Sequence, residues 1–187
     1  MPSSPLPDVI VLSPRRFPDE RGFFSEIYRR DAAAKTGIGA DFVQDNFSRS
    51  ERKGTLRGLH FQRPPHAQAK LVHVLQGSIY DVAVDIRLGS PTFAKFAGTV
   101  LSKENWRQVY VPPGFAHGFV TLEPATEVLY KVDAPYAPES DGGIVWNDPD
   151  VAIDWPLGGE PPILSAKDAK LPRLRDIGAI FPYDTFR

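Results

Sequence analysis

The 187-residue sequence contains no cysteine. Disulfide bonds, zinc–thiolate centres and thiolate nucleophiles are therefore excluded. No apolar stretch approaches the ~20 residues that a helix needs to cross a bilayer. The first dozen residues also lack the basic start of a signal peptide. We therefore expect a cytoplasmic protein with no membrane partner.

Positive and negative charges are nearly balanced in the sequence. The sequence has 22 lysines and arginines against 23 aspartates and glutamates, and its net charge is −1. No block of like charges is present, so the sequence predicts no nucleic-acid partner. An anionic ligand would have to be held by a local cluster of cations. The length predicts a single domain over residues 1–187, large enough to bury a core without crosslinks or metal.

Helix signals are scarce, whereas short strands separated by proline and glycine turns are frequent. Residues 79–86 alternate between two faces, with Asp81 and Asp85 on one of them, which is typical of a half-buried strand. Further strands are predicted over residues 42–47, 71–75, 92–101, 107–111, 118–122 and 127–132. Strands at this regular spacing predict an all-β sandwich or barrel rather than βαβ units.

Two short helices are expected to flank the strands. Asp31 is predicted to cap one or two turns that end at Gly37. Ser165 and Asp168 have the spacing of a capping box, which would open a short helix that Pro172 stops. The proline-rich C-terminal segment is expected to pack on the barrel.

Two motifs share the ligand spacing of metal-binding cupins, which use H-x-H, a glutamate, and the histidine of P-x-G-x-x-H. His60, Lys70 and His117 occupy three of these positions, and Gln62 occupies the fourth. The ammonium of Lys70 would repel a divalent cation, so the sequence predicts no metal site. A histidine close to cations can instead remove a proton from a carbon acid while a cation stabilises the enolate.

Seven stretches appear in the order found in one enzyme family, at residues 19–24, 42–46, 56–62, 115–119, 129–131, 145–148 and 164–168. Over nearly its whole length the chain resembles the deoxythymidine-diphosphate (dTDP)-4-dehydrorhamnose 3,5-epimerases. The resemblance implies a cupin jelly roll, which is a double-stranded β-helix barrel, acting as a homodimer without a cofactor. It implies epimerisation at C3 and C5 of a dTDP-linked 4-keto-6-deoxy sugar in dTDP-L-rhamnose biosynthesis. Exchange of N-terminal strands between protomers is plausible for such a dimer.

The resemblance also assigns roles to individual residues. His60 would be the base, oriented by Asp168, and Tyr130 would be the acid on the opposite face of the sugar. Lys70 would stabilise the enolate. Without the resemblance, the sequence favours simple helix capping for Asp168. The other matched polar residues would hold the substrate: Arg21, Glu26, Gln44, Asn46, Arg57, His117, Asp141 and Lys167.

Three rival interpretations stay open at this point. An epimerase of an antibiotic deoxysugar pathway would invert only one carbon, either C3 or C5. A metal-dependent cupin oxygenase or isomerase would bind iron, manganese or zinc, and a silent binding protein would hold the nucleotide sugar without proton exchange. The presence of His60, Asp168 and Tyr130 together favours the double epimerase. The resembled family has a glutamate at the position of Asp141, so the shorter side chain displaces that contact.

Overall fold

A computed structural model describes residues 6–186 of the chain. The strands are β1 (Ile10–Leu12), β2 (Arg16–Asp19), β3 (Gly22–Ser25), β4 (Gln44–Ser50), β5 (Leu56–Gln62), β6 (Lys70–Gln76), β7 (Ser78–Asp85), β8 (Arg87–Leu88), β9 (Phe96–Ser102), β10 (Gln108–Val111), β11 (Phe115–Thr121), β12 (Thr126–Val132), β13 (Asp141–Gly143) and β14 (Phe181–Pro182). The described part of the chain has one α-helix, α1 (Arg30–Ala34), and several short 3₁₀ turns. None of its helices is long and apolar enough to span a membrane.

Two five-stranded antiparallel sheets build the barrel. The first has the strand order β1-β10-β6-β12-β4, and the second has the order β13-β5-β11-β7-β9. Two short pairs, β2 with β3 and β8 with β14, lie outside these sheets. The predicted all-β jelly roll is confirmed. Most predicted strands are present, with bounds that differ by a few residues.

Alternation along the strands gives the barrel an apolar interior. Residues of both sheets meet in one buried cluster, which includes Val72, Val74, Ile79, Ala83, Phe115 and Phe119. A second cluster joins the other face of the second sheet to the C-terminal segment, and it includes Leu59, Phe61, Val82, Leu174 and Phe181. The second sheet is therefore covered on both faces, and the C-terminal segment packs on the barrel as expected.

The covering of both faces overturns the expectation for residues 79–86. The strand β7 is not half-buried, because Asp81 is 2% exposed and Asp85 is 0% exposed. Asp85 is neutralised by the buried Arg87, whose Nη2 lies 2.8 Å from its carboxylate. Arg87 also donates to Asp8 and to the carbonyl of Phe186, so it ties both ends of the described chain to the barrel.

The predicted strand over residues 92–101 starts later than expected, at Phe96. The side chain of Asp85 accepts hydrogen bonds from the hydroxyls of Ser90 and Thr92, at 2.6 and 2.7 Å. The backbone then turns at Ala94, where φ is 62°. Because these hydrogen bonds stabilise a turn, the residues before Phe96 do not join the sheet.

The predicted helix caps are partly wrong. Arg29 is the N-cap of α1, and Asp31 lies in the first turn, 2.8 Å from the Arg29 guanidinium. Gly37 adopts a positive φ of 95°, but it lies one residue beyond the C′ position of α1, which is occupied by Thr36. The helix after Ser165 is a 3₁₀ turn over Asp168–Lys170, and it ends before Pro172 as predicted.

A bulge in β5 brings two cleft residues onto the same face. His60 pairs with His117, and Arg57 pairs with Phe119, so three steps on β5 match two steps on β11. In a regular strand residues three apart face opposite sides, but the extra residue turns both Arg57 and His60 inward. Both line the same cavity.

Glycine permits the close approach at this bulge. Gly58 has a φ of 134°, and a Cβ built on it would lie 2.6 Å from Gly118 Cα. Such a distance is shorter than any real carbon–carbon contact between strands. The absence of a side chain at Gly58 therefore allows β5 to bulge against β11.

We predict that Gly58→Ala destabilises the fold by roughly 1–3 kcal/mol through overpacking, with further strain from the positive φ. Gly54→Ala is the matched control, because Gly54 also has a positive φ (78°) but a Cβ added there would meet no atom within 4 Å. Urea unfolding of both variants measures the difference. Equal losses of stability would show that the close approach does not constrain β5.

Candidate active site

Two adjoining cavities form one cleft at the barrel. The larger has a volume of about 450 Å³ and the smaller about 300 Å³. His60, Lys70, Tyr130 and Lys167 line both. His60 lies on β5 of the second sheet, whereas Lys70 and Tyr130 lie on β6 and β12 of the first. Residues from both sheets therefore face one space.

Most of the predicted site residues line this cleft. The larger cavity contains Arg57, His60, Lys70, His117, Tyr130, Lys167 and Asp168. The smaller cavity adds Gln44, Asn46 and Asp141. An apolar wall built by Leu56, Phe119, Ile163 and Leu164 completes the larger cavity.

Arg21 and Glu26 do not line the cleft of their own chain. Arg21 lies at the β2–β3 hairpin with its side chain 84% exposed, 2.7 Å from Asp19. Glu26 lies 3.6 Å from Arg29 and borders a separate, largely apolar cavity next to α1.

His60 and Asp168 form a hydrogen-bonded pair in the larger cavity. His60 Nε2 is 2.7 Å from Asp168 Oδ1. Burial raises the pKa of Asp168, but hydrogen bonds from His60 and from the Gly58 amide outweigh burial and lower it below its usual value. An ionised carboxylate can only accept, so Nε2 carries the proton and Nδ1 of the neutral ring carries the lone pair.

The position of Asp168 corrects the capping role that the sequence alone favours. The backbone N–H of Asp168 donates to Ser165 Oγ at 3.0 Å, so Ser165 does cap the turn. The Asp168 carboxylate instead faces β5, where Oδ2 accepts from the Gly58 N–H at 3.3 Å. The motif therefore supplies both a turn cap and a partner for His60.

Lys70 is buried at the inner face of β6. Its Nζ lies 3.4 Å from the carbonyl oxygen of His60, a long contact for an N–H···O hydrogen bond. Burial lowers the pKa of Lys70 to about 8, while the charges of Asp81 and Asp141 act in the opposite direction. The cleft thus holds a poorly solvated ammonium, which can stabilise negative charge developing on a ligand.

Asp81 was not among the predicted site residues, yet it lies next to the site. His117 Nε2 donates to Asp81 Oδ2 at 2.9 Å, and both side chains are buried. His117, one of the residues expected to hold the substrate, lines the larger cavity, and Asp81 holds its ring there. The alternation of β7 could have placed Asp81 inside the barrel, since Ile79 and Ala83 are core residues.

Tyr130 lies on β12, in the sheet opposite His60. It packs against the inner cluster, and Val128 and Val132 share its face. Burial raises the pKa of Tyr130, and the nearby positive charge of Arg57 partly opposes this effect. Arg57 is held by β4, because its Nε donates to Ser50 Oγ at 3.2 Å. A phenol and an imidazole thus face one cavity from different sheets.

The smaller cavity carries a second set of polar groups. Gln44 Nε2 donates to Asn46 Oδ1 at 2.8 Å, so the two side chains share one face of β4. Asp45 faces the other way and pairs with Lys131 at 2.8 Å. Asp141 accepts a hydrogen bond from the Tyr136 hydroxyl at 3.3 Å and forms an ion pair with Lys167.

Gln62, at the position of a cupin metal ligand, is fully engaged by the backbone. Its Nε2 donates to the carbonyls of His66 and Pro135, at 2.7 and 3.2 Å. Its Oε1 accepts from the Ala137 N–H at 2.8 Å. Gln62 therefore holds two loops together. Within residues 6–186, no group of three or more His, Asp, Glu or Cys side chains is arranged to hold a metal ion.

Comparison with known proteins identifies the family. The dTDP-4-dehydrorhamnose 3,5-epimerase family profile matches residues 3–176. The dTDP-4-dehydrorhamnose 3,5-epimerase of Salmonella typhimurium is 52% identical over 170 residues, which cover 90% of this chain and 92% of that protein.

Solved structures agree with this result. A dTDP-6-deoxy-D-glucose-3,5-epimerase of Legionella pneumophila, in complex with dTDP-4-keto-L-rhamnose, superposes with a TM-score of 0.90 at 49% identity, over 95% of this chain and 94% of that one. A 3′-monoepimerase of Streptomyces bikiniensis, in complex with dTDP-quinovose, superposes with a TM-score of 0.86 at 31% identity, over 95% and 90% of the two chains. On this sequence match and this shared barrel, the chain belongs to the dTDP-4-dehydrorhamnose 3,5-epimerase family.

Proposed function

We propose that the chain epimerises C3 and C5 of dTDP-4-dehydro-6-deoxy-D-glucose, giving dTDP-4-dehydro-L-rhamnose for dTDP-L-rhamnose biosynthesis. The observation that carries the proposal is the pair of His60 and Asp168 in one cavity with Lys70 and Tyr130. A base, a carboxylate that orients it, a cation and a phenolic acid are the groups that such a reaction needs.

The proposed chemistry begins at a carbon next to the C4 ketone. Nδ1 of His60 takes the proton, and the C–H electrons move to the ketone oxygen to form an enolate. Asp168 stabilises the resulting imidazolium, while the Lys70 ammonium stabilises the enolate oxygen. Tyr130 then donates a proton to the same carbon from the opposite face, which inverts it. Proton exchange with water restores both residues before the second carbon reacts.

Basic side chains near the cleft would hold the diphosphate. We assign this role to Arg57 and Lys167, because guanidinium and ammonium groups bind phosphate oxygens well. Gln44 and Asn46 would bind the nucleoside or phosphate in the smaller cavity. Lys167 would then exchange part of its contact with Asp141 for the ligand.

Inversion of a single carbon is the second candidate, favoured by the likeness to the 3′-monoepimerase. The identity to that protein is 31%, against 52% to the Salmonella 3,5-epimerase. This difference supports the double inversion for the present chain.

We also propose that the protein acts as a homodimer in which the β2–β3 hairpin serves the partner's cleft. Arg21 and Glu26 lie outside their own cleft. Phe17, Phe23 and Phe24 of the hairpin are exposed, and exposed aromatic groups of this size are typical of interfaces. The charged nucleotide sugar does not cross membranes unaided, so we place the enzyme in the cytoplasm.

The first test follows deuterium in the substrate by NMR in D₂O. We expect label at both C3 and C5 with wild-type protein. His60→Asn should slow labelling at both carbons by roughly 10²–10⁴-fold, the usual contribution of a general base. Affinity for dTDP should stay nearly unchanged, which titration calorimetry would show. Label at one carbon would select the single epimerase, and no label with bound substrate would refute the proposal.

Tyr130→Phe tests the acid. Because the variant keeps His60 and Lys70, we expect proton removal to persist while inversion falls by roughly 10²–10⁴-fold. Substrate should therefore take up deuterium with its configuration retained. The ratio of labelling to inversion is the measurement. A proportional fall in both rates would show that Tyr130 is not the acid.

Complementation tests the dimer. We expect His60→Asn and Arg21→Ala homodimers to be impaired, whereas a hybrid dimer has one intact cleft if Arg21 serves its partner. Subunits exchanged at equal amounts should then regain about a quarter of wild-type activity, since half of the dimers are hybrid. Sedimentation confirms that the dimer forms. No gain after exchange would mean that Arg21 acts in its own chain or not at all.

A further inference from the structure

The β2–β3 hairpin lies outside both sheets of the barrel, and its two strands pair with each other. A two-stranded hairpin is marginally stable in water when nothing supports it, so its position depends on the groups that attach it to the barrel. The register places Arg16, Phe23 and Ser25 on one face of the hairpin. Phe17 and Phe24 lie on the other face. The contacts of the first face therefore decide where the hairpin points.

Trp106, in the turn between β9 and β10, meets this first face. Its Nε1 donates to Ser25 Oγ at 3.0 Å, and its ring packs edge-on against Phe23 with the ring centres 5.1 Å apart. The Arg16 guanidinium lies 4.8 Å from the Trp106 ring centre and 4.9 Å from that of Phe23. One side chain of the barrel thus contacts three residues of the hairpin. We call these four residues the hairpin anchor.

Arg16 adds hydrogen bonds to the backbone of the same turn. Its Nη2 donates to the carbonyls of Lys103 and Glu104, at 2.5 and 2.9 Å. A guanidinium that is both stacked on aromatic rings and hydrogen-bonded has a defined orientation. Arg16 therefore ties the first strand of the hairpin to the barrel at its base.

The turn that carries Trp106 is itself firmly held. Trp106 adopts a φ of 55°, which is uncommon for a residue with a side chain and persists only where the surroundings fix it. The Asn105 side chain accepts from the N–H groups of Ser102 and Arg107, at 3.1 and 3.0 Å. The Trp106 ring also packs edge-on against the buried His73 of β6, with 4.5 Å between the ring centres. The barrel thus presents Trp106 to the hairpin in one orientation.

We propose that Arg16 and Trp106 are positioning residues of the epimerase: they hold the hairpin so that Arg21 reaches the partner's cleft. The inference rests on the proposed function, because it concerns the hairpin that serves the second protomer. Neither Arg16 nor Trp106 lines the cleft, so both act through the hairpin rather than by touching substrate. A hairpin that is detached part of the time would lower the apparent substrate affinity in proportion to the attached fraction.

Hybrid dimers test this role by placement. When a His60→Asn subunit pairs with an Arg21→Ala subunit, the working cleft belongs to the second subunit and its hairpin comes from the first. Arg16→Ala added to the first subunit should therefore raise KM roughly 10-fold with kcat kept. Added to the second subunit, the same substitution should leave KM unchanged, because that hairpin serves no working cleft. Sedimentation checks that both mixtures form dimers.

Hydrogen exchange measures the attachment of the hairpin without turnover. We expect the amides of residues 16–25 to exchange roughly 10-fold faster in Arg16→Ala and in Trp106→Ala than in wild type. Arg15→Ala is the matched control, with the same change of charge. The Arg15 guanidinium also lies over an aromatic ring, 4.7 Å from the ring centre of Phe17, but that ring is on the other face of the hairpin. Exchange in this variant should match wild type.

The outcomes for the inference and for the proposed function are distinct. A rise in KM from the second placement, or equal rises from both, would mean that Arg16 acts in its own chain and would overturn the inference. Unchanged hydrogen exchange in Arg16→Ala would also overturn it. No regain of activity in the mixture without Arg16→Ala would instead refute the proposed role of the hairpin in the dimer. If Trp106→Ala does not fold, Arg16→Ala decides, since Arg16 lies outside the barrel.

Discussion

The hydrogen bond between His60 and Asp168 is the contact on which the rest of the site depends. It joins residues 108 positions apart in sequence and fixes the C-terminal segment against β5. The same carboxylate accepts from the Gly58 N–H, at the bulge that turns both Arg57 and His60 inward. One carboxylate therefore contacts both the ring of His60 and the bulge of the strand that carries it. The His60 ring is thus already oriented when a ligand binds, so the site is preorganised.

The barrel interior places ionised groups among apolar ones and satisfies them in pairs. Asp168 is paired with His60, and Asp81 is paired with His117. Each buried charge would be destabilising alone, so removing one partner leaves a group whose desolvation is no longer compensated. The same low polarity strengthens every interaction with charge that develops on a ligand. The stability of the fold and the reactivity of the site therefore depend on the same buried pairs.

Much of the architecture could be predicted from local patterns, because alternation and turn residues are short-range signals. The strands around Lys70, His117 and Tyr130 and the shared face of Gln44 and Asn46 follow from such patterns. The family resemblance then assigned the role of base to His60 and the role of its partner to Asp168. The alternation of β7 is compatible with either face inside the barrel, and only the packing of the C-terminal segment on Val82 and Val84 leaves Asp81 facing the interior with Ile79 and Ala83. The bulge at Gly58 and the orientation of the Asp168 side chain also depend on contacts distant in sequence, which no local pattern contains.

Gln62 occupies the position of a cupin metal ligand, but in this barrel it has a structural role. All of its polar capacity is committed to the backbone of two loops, through His66, Pro135 and Ala137. Histidine at position 62 and glutamate at position 70 would restore the ligand residues of a metal cupin. An imidazole, however, cannot replace both N–H donors and the carbonyl acceptor of the Gln62 amide. The hydrogen bonds by which Gln62 holds the two loops would then be lost. In this chain, position 62 is therefore committed to joining two loops rather than to binding an ion.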